Sequence, residues 1–367
     1  MFGVKGYRNY RDLFDYFQEG WGFSAKYGIT PRVYIKYQPI QWDYGSADSV
    51  RINLEYYDVK GPVFGVQGDN IFDLDLRGLL DYHRERDGIA TICLKRVGDV
   101  EGYGIAEVDE EMRIHGFVEK PSREEAPSNL ANTGLYLFNP RIRGVMRSGW
   151  MRRTIASRKR LDFGYDFIPY LIRSGHKVYG YVVEGGWYDV GSPERYLEAM
   201  YDIIRGRLKS LGEFNGGVFP DRRIWIQSES PEPSPERDRL AEMIRAGRIE
   251  VEEPVLIGRH CQIGEGVKIS NSCIDNYVRI GDGTVVEGSA VMDRVDVGEG
   301  AVIEGSIIGR HAVVRSTFRR PTSIVRLSVV GDDVWIGEGS TLIGARVHPH
   351  LRLEEGVYKG AVFEVQR

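Results

Sequence analysis

From residue 254 onward, aliphatic residues recur every six positions, and that period leaves few folds open. Ile257, Ile263 and Ile269 are six apart; so are Ile274, Ile280 and Val286, and so are Val291, Val297 and Ile303. The leading residues advance by 17, from Ile257 to Ile274, Val291 and Ile308. After a gap, Val330, Ile336 and Leu342 resume the step of six. Glycine follows directly at 258, 264, 281, 298, 309, 331 and 337. Three short strands per turn, each pointing one aliphatic side chain inward and bending at glycine, make a left-handed parallel β-helix. The step from 308 to 330 is 22, so a few extra residues should bulge out near "TFRRPTS" (317–323).

The first 200 residues carry other periods. Tyr10, Leu13, Phe14 and Phe17 share a helical face, as do Ala47, Val50, Leu54 and Tyr57, and then Leu76, Leu79, Leu80 and His83. Between them, "VYIKYQ" (33–38), "PVFGVQG" (62–68) and "IATICLKR" (89–96) read as strands. The run at 62–68 has the composition of a strand covered on both faces. This β-α-β-α order predicts an α/β domain with a doubly wound, mainly parallel sheet. "YGIAEVD" (103–109) and "MRIHGFVEK" (112–120) read as a hairpin beside it. The expected domains are 1–206, a linker with a short helix around Leu240 and Ile244 at 207–253, and the β-helix at 254–367.

A chain of 367 residues is long enough for two cores. Its net charge of −4 gives no basis for a nucleic-acid or membrane partner, and no apolar stretch approaches the roughly 20 residues of a membrane span. Cys93, Cys261 and Cys273 stand in no metal-like spacing, which points to free thiols in a cytoplasmic protein.

In a doubly wound sheet, ligands bind outside the carboxyl ends of strands. Asp69 follows one such strand after Gly68, and Asp189 in "GGWYDVGSPERY" (185–196) follows another, "KVYGYVVE" (177–184). Two carboxylates with phosphate oxygens and water suit magnesium. Read alone, Asp69 is equally a turn former, and Asp73, Asp75 and Asp109 read as solvent-facing or capping carboxylates.

Four passages carry a resemblance: "VQGDNIFD" (66–73), "YGIAEVDEEMRIHGFVEKPS" (103–122), "ANTGLYLFNP" (131–140) and "WYDVGSPERYLEA" (187–199). In order and spacing they resemble the sugar-nucleotide pyrophosphorylases, and among these the mannose-1-phosphate guanylyltransferases that carry a β-helix tail. The resemblance implies a nucleotidyltransferase that joins a sugar 1-phosphate to a nucleoside triphosphate and releases pyrophosphate, with mannose 1-phosphate and GTP as the expected pair. It implies Asp69 and Asp189 as magnesium ligands. Lys120 would hold the sugar phosphate as a point charge, and Glu119 would accept sugar hydroxyls. Gly104, Asn132 and Gly134 would line the sugar pocket, with Gln38 and Gly45 beside the nucleobase. Trp187 is expected to pack under the site, and Asp166 in "DFGYDFIP" (162–169) to act as a cap.

Family members open with a strand and a glycine-rich loop that cradles the triphosphate. No such segment is recognisable here, so the expectation is a start placed too far downstream or a truncated copy. The alternative function is a non-catalytic regulatory paralogue that binds sugar nucleotide and associates with a catalytic subunit. A third reading makes the β-helix an acyltransferase with His260, His311, His348 or His350 as base. Against it stands a plain role for the β-helix in homo-oligomer assembly. The basic loop at Arg315, Arg319 and Arg320 is either a solvated face or a contact for an acidic neighbour.

Overall fold

The structure is a computed structural model that describes residues 2–4, 10–26, 28–30, 33–38, 42–208, 214, 217–219, 221–228 and 234–364. Two compact units divide the chain: Met1–Asn70 with Leu74–Trp187, and Ile71–Asp73 with Tyr188–Arg367. No helix among the described residues is long and apolar enough to cross a membrane.

The first unit is an α/β layer built on a six-stranded sheet. Val63–Val66, Ala90–Arg96, Gly104–Val108 and Val178–Val182 all run antiparallel to a neighbour of one orientation, or parallel to each other, so these four point the same way. The α/β expectation is met in that sense. The strand Leu130–Phe138 is inserted among them in reverse, however, so among the described residues Ala90–Arg96 and Val178–Val182 are the one parallel neighbouring pair of this sheet. The expected hairpin exists, Gly104–Val108 against Ile114–Glu119, and joins the same sheet through Ile105 and Ala106. The expectation that 62–68 is covered on both faces is corrected. Phe64 and Val66 are 38% and 51% exposed, because among the described residues Val63–Val66 pairs with Leu130–Phe138 alone.

Helices Ser46–Tyr56, Leu76–Arg86 and Ile168–Arg173 supply Ala47, Leu54, Leu79 and Leu171 to burial. Asp75 caps the second of these by accepting the Arg77 N–H at 3.0 Å, as a capping carboxylate should. Asp109 does the equivalent for the hairpin turn, accepting the N–H groups of Glu111 and Arg113 at 3.0 and 2.9 Å.

The second unit contains the coil. Ile263, Ile280, Val297, Val314, Ile336 and Leu353 stack in parallel register on one face. Ile257, Ile274, Val291, Ile308, Val330 and Val347 form the second column. Ile269, Val286, Ile303, Ile324 and Leu342 form the third. The six-residue period is thus the width of one face. Ile303 pairs with Ile324 and Ile308 with Val330, so most of the insertion enters before Ile324 and one further residue after it.

Buried corners are closed by hydroxyls. Ser272, Ser289, Ser306 and Ser328 are fully buried, and each Oγ accepts the N–H of the next coil, from Ser289, Ser306, Ser328 and Ala345, at 3.0–3.2 Å. Helix Pro193–Ile204 lies on the coil: Leu197 and Met200 pack with Ala290 and Ile307, and the Tyr201 hydroxyl donates to the Gly288 carbonyl at 2.6 Å. A second helix, Pro235–Arg245, buries Leu240, Met243 and Ile244 in the core that the coil shares.

Glycine at the bends answers to close backbone stacking. A Cβ on Gly298 would lie 2.3 Å from the Ser316 carbonyl oxygen. Gly298→Ala is therefore expected to destabilise the coil by about 1–3 kcal/mol. Gly61→Ala, where a Cβ meets nothing within 4 Å, should change stability little. Paired thermal melts check this, and equal melting of the two variants would contradict the stacking argument.

Candidate functional site

Of the candidate sugar-binding residues, Gly104, Glu119 and Lys120 come together at the end of the strand Ile114–Glu119. Glu119 pairs directly with Gly104 across the hairpin, so its carboxylate lies over a residue without a side chain. A Cβ on Gly104 would stand 2.5 Å from Glu119 Oε2, and one on Gly164 only 2.0 Å from it. Glu119 Oε2 is buried and has no hydrogen-bond partner among the described residues. Burial pushes the Glu119 carboxyl up from its ordinary range; the neighbouring Lys120 opposes this and Asp162 adds to it. Lys120 follows in a left-handed conformation (φ 51°), with its N–H held by the Tyr103 carbonyl at 2.9 Å. That kink turns the exposed lysine out of the strand just after the carboxylate.

Gly164 reaches Glu119 because Phe163–Phe167 forms a π-helical turn, a distortion often found at functional sites. Asp166 anchors it, accepting from Arg158, Arg160 and the Asp162 N–H at 3.0, 3.1 and 3.0 Å. Burial alone would raise the Asp166 carboxyl, yet these hydrogen bonds outweigh it and hold the group below its usual range. Asp166 is thus a buried, doubly paired anchor that also caps the turn. Asp162 accepts from the Ser46 N–H and Oγ at 3.1 and 3.2 Å, fixing the start of helix Ser46–Tyr56. Gly45 sits against it at φ 135°, where a Cβ would come within 2.5 Å of Asp162 Oδ1.

Other expected contacts have local partners. Asn132 donates to the Tyr136 hydroxyl at 2.9 Å and accepts the Gly134 N–H at 3.1 Å. These bonds brace a bulge in which Thr133–Leu135 face Cys93 alone. Gly134 takes φ 76°, and a Cβ there would strike Gln67 Oε1 at 2.5 Å. Gln38 is bonded to Ser49, to Asp43 at 3.1 Å and to Asn53 at 3.4 Å. Trp187 donates to Asn70 Oδ1 at 2.7 Å and its ring centroid lies 5.2 Å from that of Tyr103. This is the packing role expected of it.

Sequence reasoning missed Lys95. Its ammonium donates to the carbonyls of Val183, Glu184 and Gly185 at 3.0, 3.0 and 2.8 Å, tying down the segment that leads to "WYD". Nothing local signalled this, because the partners lie about 90 residues away in sequence. Gly164 and Asp162 were missed for the same reason.

The carboxylates expected to bind magnesium sit at strand ends. Asp69 is exposed on the turn after Val63–Val66, with Oδ1 accepting from the Asn70 amide at 3.0 Å. Asp189 ends Trp187–Asp189, which pairs with Asn70–Phe72. Its Oδ1 accepts the Gly191 N–H at 3.2 Å and its Oδ2 accepts from Arg195 at 2.6 Å. Hard carboxylate oxygens suit magnesium. No group of three or more His, Cys, Asp or Glu able to hold a metal occurs among the described residues.

The coil histidines have structural partners. His260, Tyr277, Arg294, His311, Asp333 and His350 all occupy left-handed positions. His260 bonds Glu236 at 2.7 Å and stacks on Tyr277; His311 and His350 each lie 3.4 Å from Asp333. Arg320 of the inserted loop pairs with Glu338 at 2.7 Å and with Glu355.

A family model described as nucleotidyl transferase matches residues 3–206, and one described as the GMPPB C-terminal domain matches residues 251–363. The chain is 31% identical over 245 residues to the UTP–glucose-1-phosphate uridylyltransferase of Synechocystis sp., covering 64% of this chain and 60% of that one. It is 33% identical over 241 residues to the glucose-1-phosphate adenylyltransferase of Bacillus cereus, with 65% and 59% covered. The corresponding enzyme of Clostridium beijerinckii is 30% identical over 195 residues, with 51% and 49% covered. The chain thus spans between 49% and 60% of the length of these relatives. It belongs to the nucleotidyl transferase family.

Glu119 yields a stability test. A carboxyl whose pKa is raised by folding carries a penalty that is fully present above the raised pKa and gone below the ordinary value of 4.5. Glu119→Gln should therefore melt above the parent at about pH 8, with the gap closing as pH falls toward about 4. A pH series of melting curves checks it; a gap that widens in acid would contradict the assignment.

Proposed function

We propose that the chain is a sugar-1-phosphate nucleotidyltransferase that uses mannose 1-phosphate and GTP. The observation that carries the proposal is the buried, unpartnered Glu119 oxygen between Gly104 and Gly164, beside Lys120. A carboxylate oxygen held out of water without a partner among the described residues is a ready acceptor for ligand hydroxyls, and a sugar offers them in pairs. The family membership supports the reaction class. The match to the GMPPB C-terminal domain supports the choice of mannose and guanine over the glucose, uracil and adenine in the names of the relatives.

In this reading a phosphate oxygen of the sugar 1-phosphate bonds to the α-phosphorus of the triphosphate. The bond from that phosphorus to the β-phosphate oxygen breaks, and pyrophosphate leaves. Little proton transfer is required, so the residues act by alignment and by charge. Glu119 accepts sugar hydroxyls and fixes the ring. Gly104 and Gly134 keep the wall low, and Asn132 braces the bulge that presents Gly134. Lys120 holds the sugar phosphate against the repulsion of the triphosphate. Gln38 and Gly45 stand beside the base. Asp69 and Asp189 would hold magnesium, which when bound neutralises phosphate charge.

The reading also assigns the chain to the cytoplasm, where three free thiols persist. It assigns homo-oligomer contacts to the coil, where Val357 and Val362 are 74% and 57% exposed.

Purified chain with magnesium, mannose 1-phosphate and GTP is expected to release pyrophosphate faster than with glucose 1-phosphate and UTP or ATP. Lys120→Met and Asp69→Asn should each lower turnover by about 10²-fold or more. Absence of pyrophosphate with every pair, alongside binding of sugar nucleotide, would replace the enzyme with a regulatory paralogue. Light scattering that returns a monomer would remove the oligomer assignment.

A further inference from the structure

We propose that Arg195 competes with the divalent cation for Asp189 and so sets the metal affinity of the protein; this rests on the reading of Asp189 as a metal ligand. Arg195 Nη1 reaches Asp189 Oδ2 at 2.6 Å, with the two side chains 42% and 24% exposed. The turn between them is fixed. Gly191 N–H donates to Asp189 Oδ1 at 3.2 Å, and Ser192 Oγ accepts the Arg195 N–H at 3.3 Å as the cap of helix Pro193–Ile204.

That helix is itself held on the coil. The Tyr201 hydroxyl bonds the Gly288 carbonyl at 2.6 Å, Arg205 bonds Asn271 at 3.1 Å, and Leu197 and Met200 are buried against Ala290 and Ile307. The backbone under Arg195 is therefore anchored, so a cation that takes Oδ2 has to displace the guanidinium rather than the helix. A divalent ion on Oδ2 sits where the guanidinium sits, and two cations in contact repel. Binding at Asp189 is accordingly an exchange of one cation for another. Because the pair is partly exposed, its strength is that of a surface ion pair, which caps the effect on affinity at about two- to fivefold.

Manganese titration of the full chain, followed by the loss of free-ion signal in electron paramagnetic resonance without nucleotide or sugar, tests this. Arg195→Met should bind manganese about two- to fivefold tighter than the parent. Arg195→Lys, which keeps the charge, should stay near the parent. Asp189→Asn should bind more weakly, and melting temperatures serve to show that each variant is folded. If Asp189→Asn weakens binding and Arg195→Met leaves it unchanged or weaker, the role of Arg195 is overturned and Asp189 stands as a ligand. If Asp189→Asn binds as the parent does, both assignments fall.

Discussion

Backbone groups in the coil are satisfied by the turns above and below, so the chain must return to the same place at every turn, about 4.8 Å further along. Most other features of the second unit follow from that spacing. There is no room for a Cβ at Gly298, where the next turn's carbonyl already stands. A buried corner must supply its own acceptor, which the serines at 272, 289, 306 and 328 do. An insertion is admitted only as a loop that leaves the register, and Arg320 then ties that loop back to two glutamates of later turns. The outer face made in this way is flat, regular and rigid enough to fix a helix by two aliphatic side chains and one tyrosine. Asp189 lies just before that docked helix.

The first unit shows the opposite economy. Asp166 is buried with two arginines and a backbone N–H, a fully compensated charge that locks a distorted turn. Glu119, beside the same turn, is half-buried, with one oxygen out of water that none of the described residues satisfies. Folding tolerates one uncompensated carboxylate when the surrounding structure fixes it in place, and such strain gathers where a ligand is to be bound. The two acids differ in neighbours rather than in chemistry, and the difference separates scaffold from candidate site.

The coil could be read from the chain because its constraint is local: each inward residue answers to a position six away. The α/β class could be read for a similar reason, since strands and helices alternate with their own periods. The inverted placement of Leu130–Phe138 could not, because periodicity carries no strand direction. Asp69, Glu119 and Lys120 were singled out by motif order alone. The environment of Glu119 was not legible, since Gly164 is brought to it by strand pairing and a π-helical turn. Gln38 and Asn132 could be singled out as polar side chains, while their local hydrogen bonds depend on how helix Ser46–Tyr56 and the bulge at Thr133–Leu135 pack.

Legible in the chain alone are the division into an α/β part and a coil, the register of the coil, and the residue types at the candidate site. Those properties reside in spacing along the chain, where each residue acts on neighbours a few positions away. Tertiary structure alone decided which carboxylate is left without a partner, which is neutralised by arginine, and which lysine spans to distant carbonyls. These outcomes depend on distances between residues far apart in sequence, and such distances are set only when the strands pair and the helices dock.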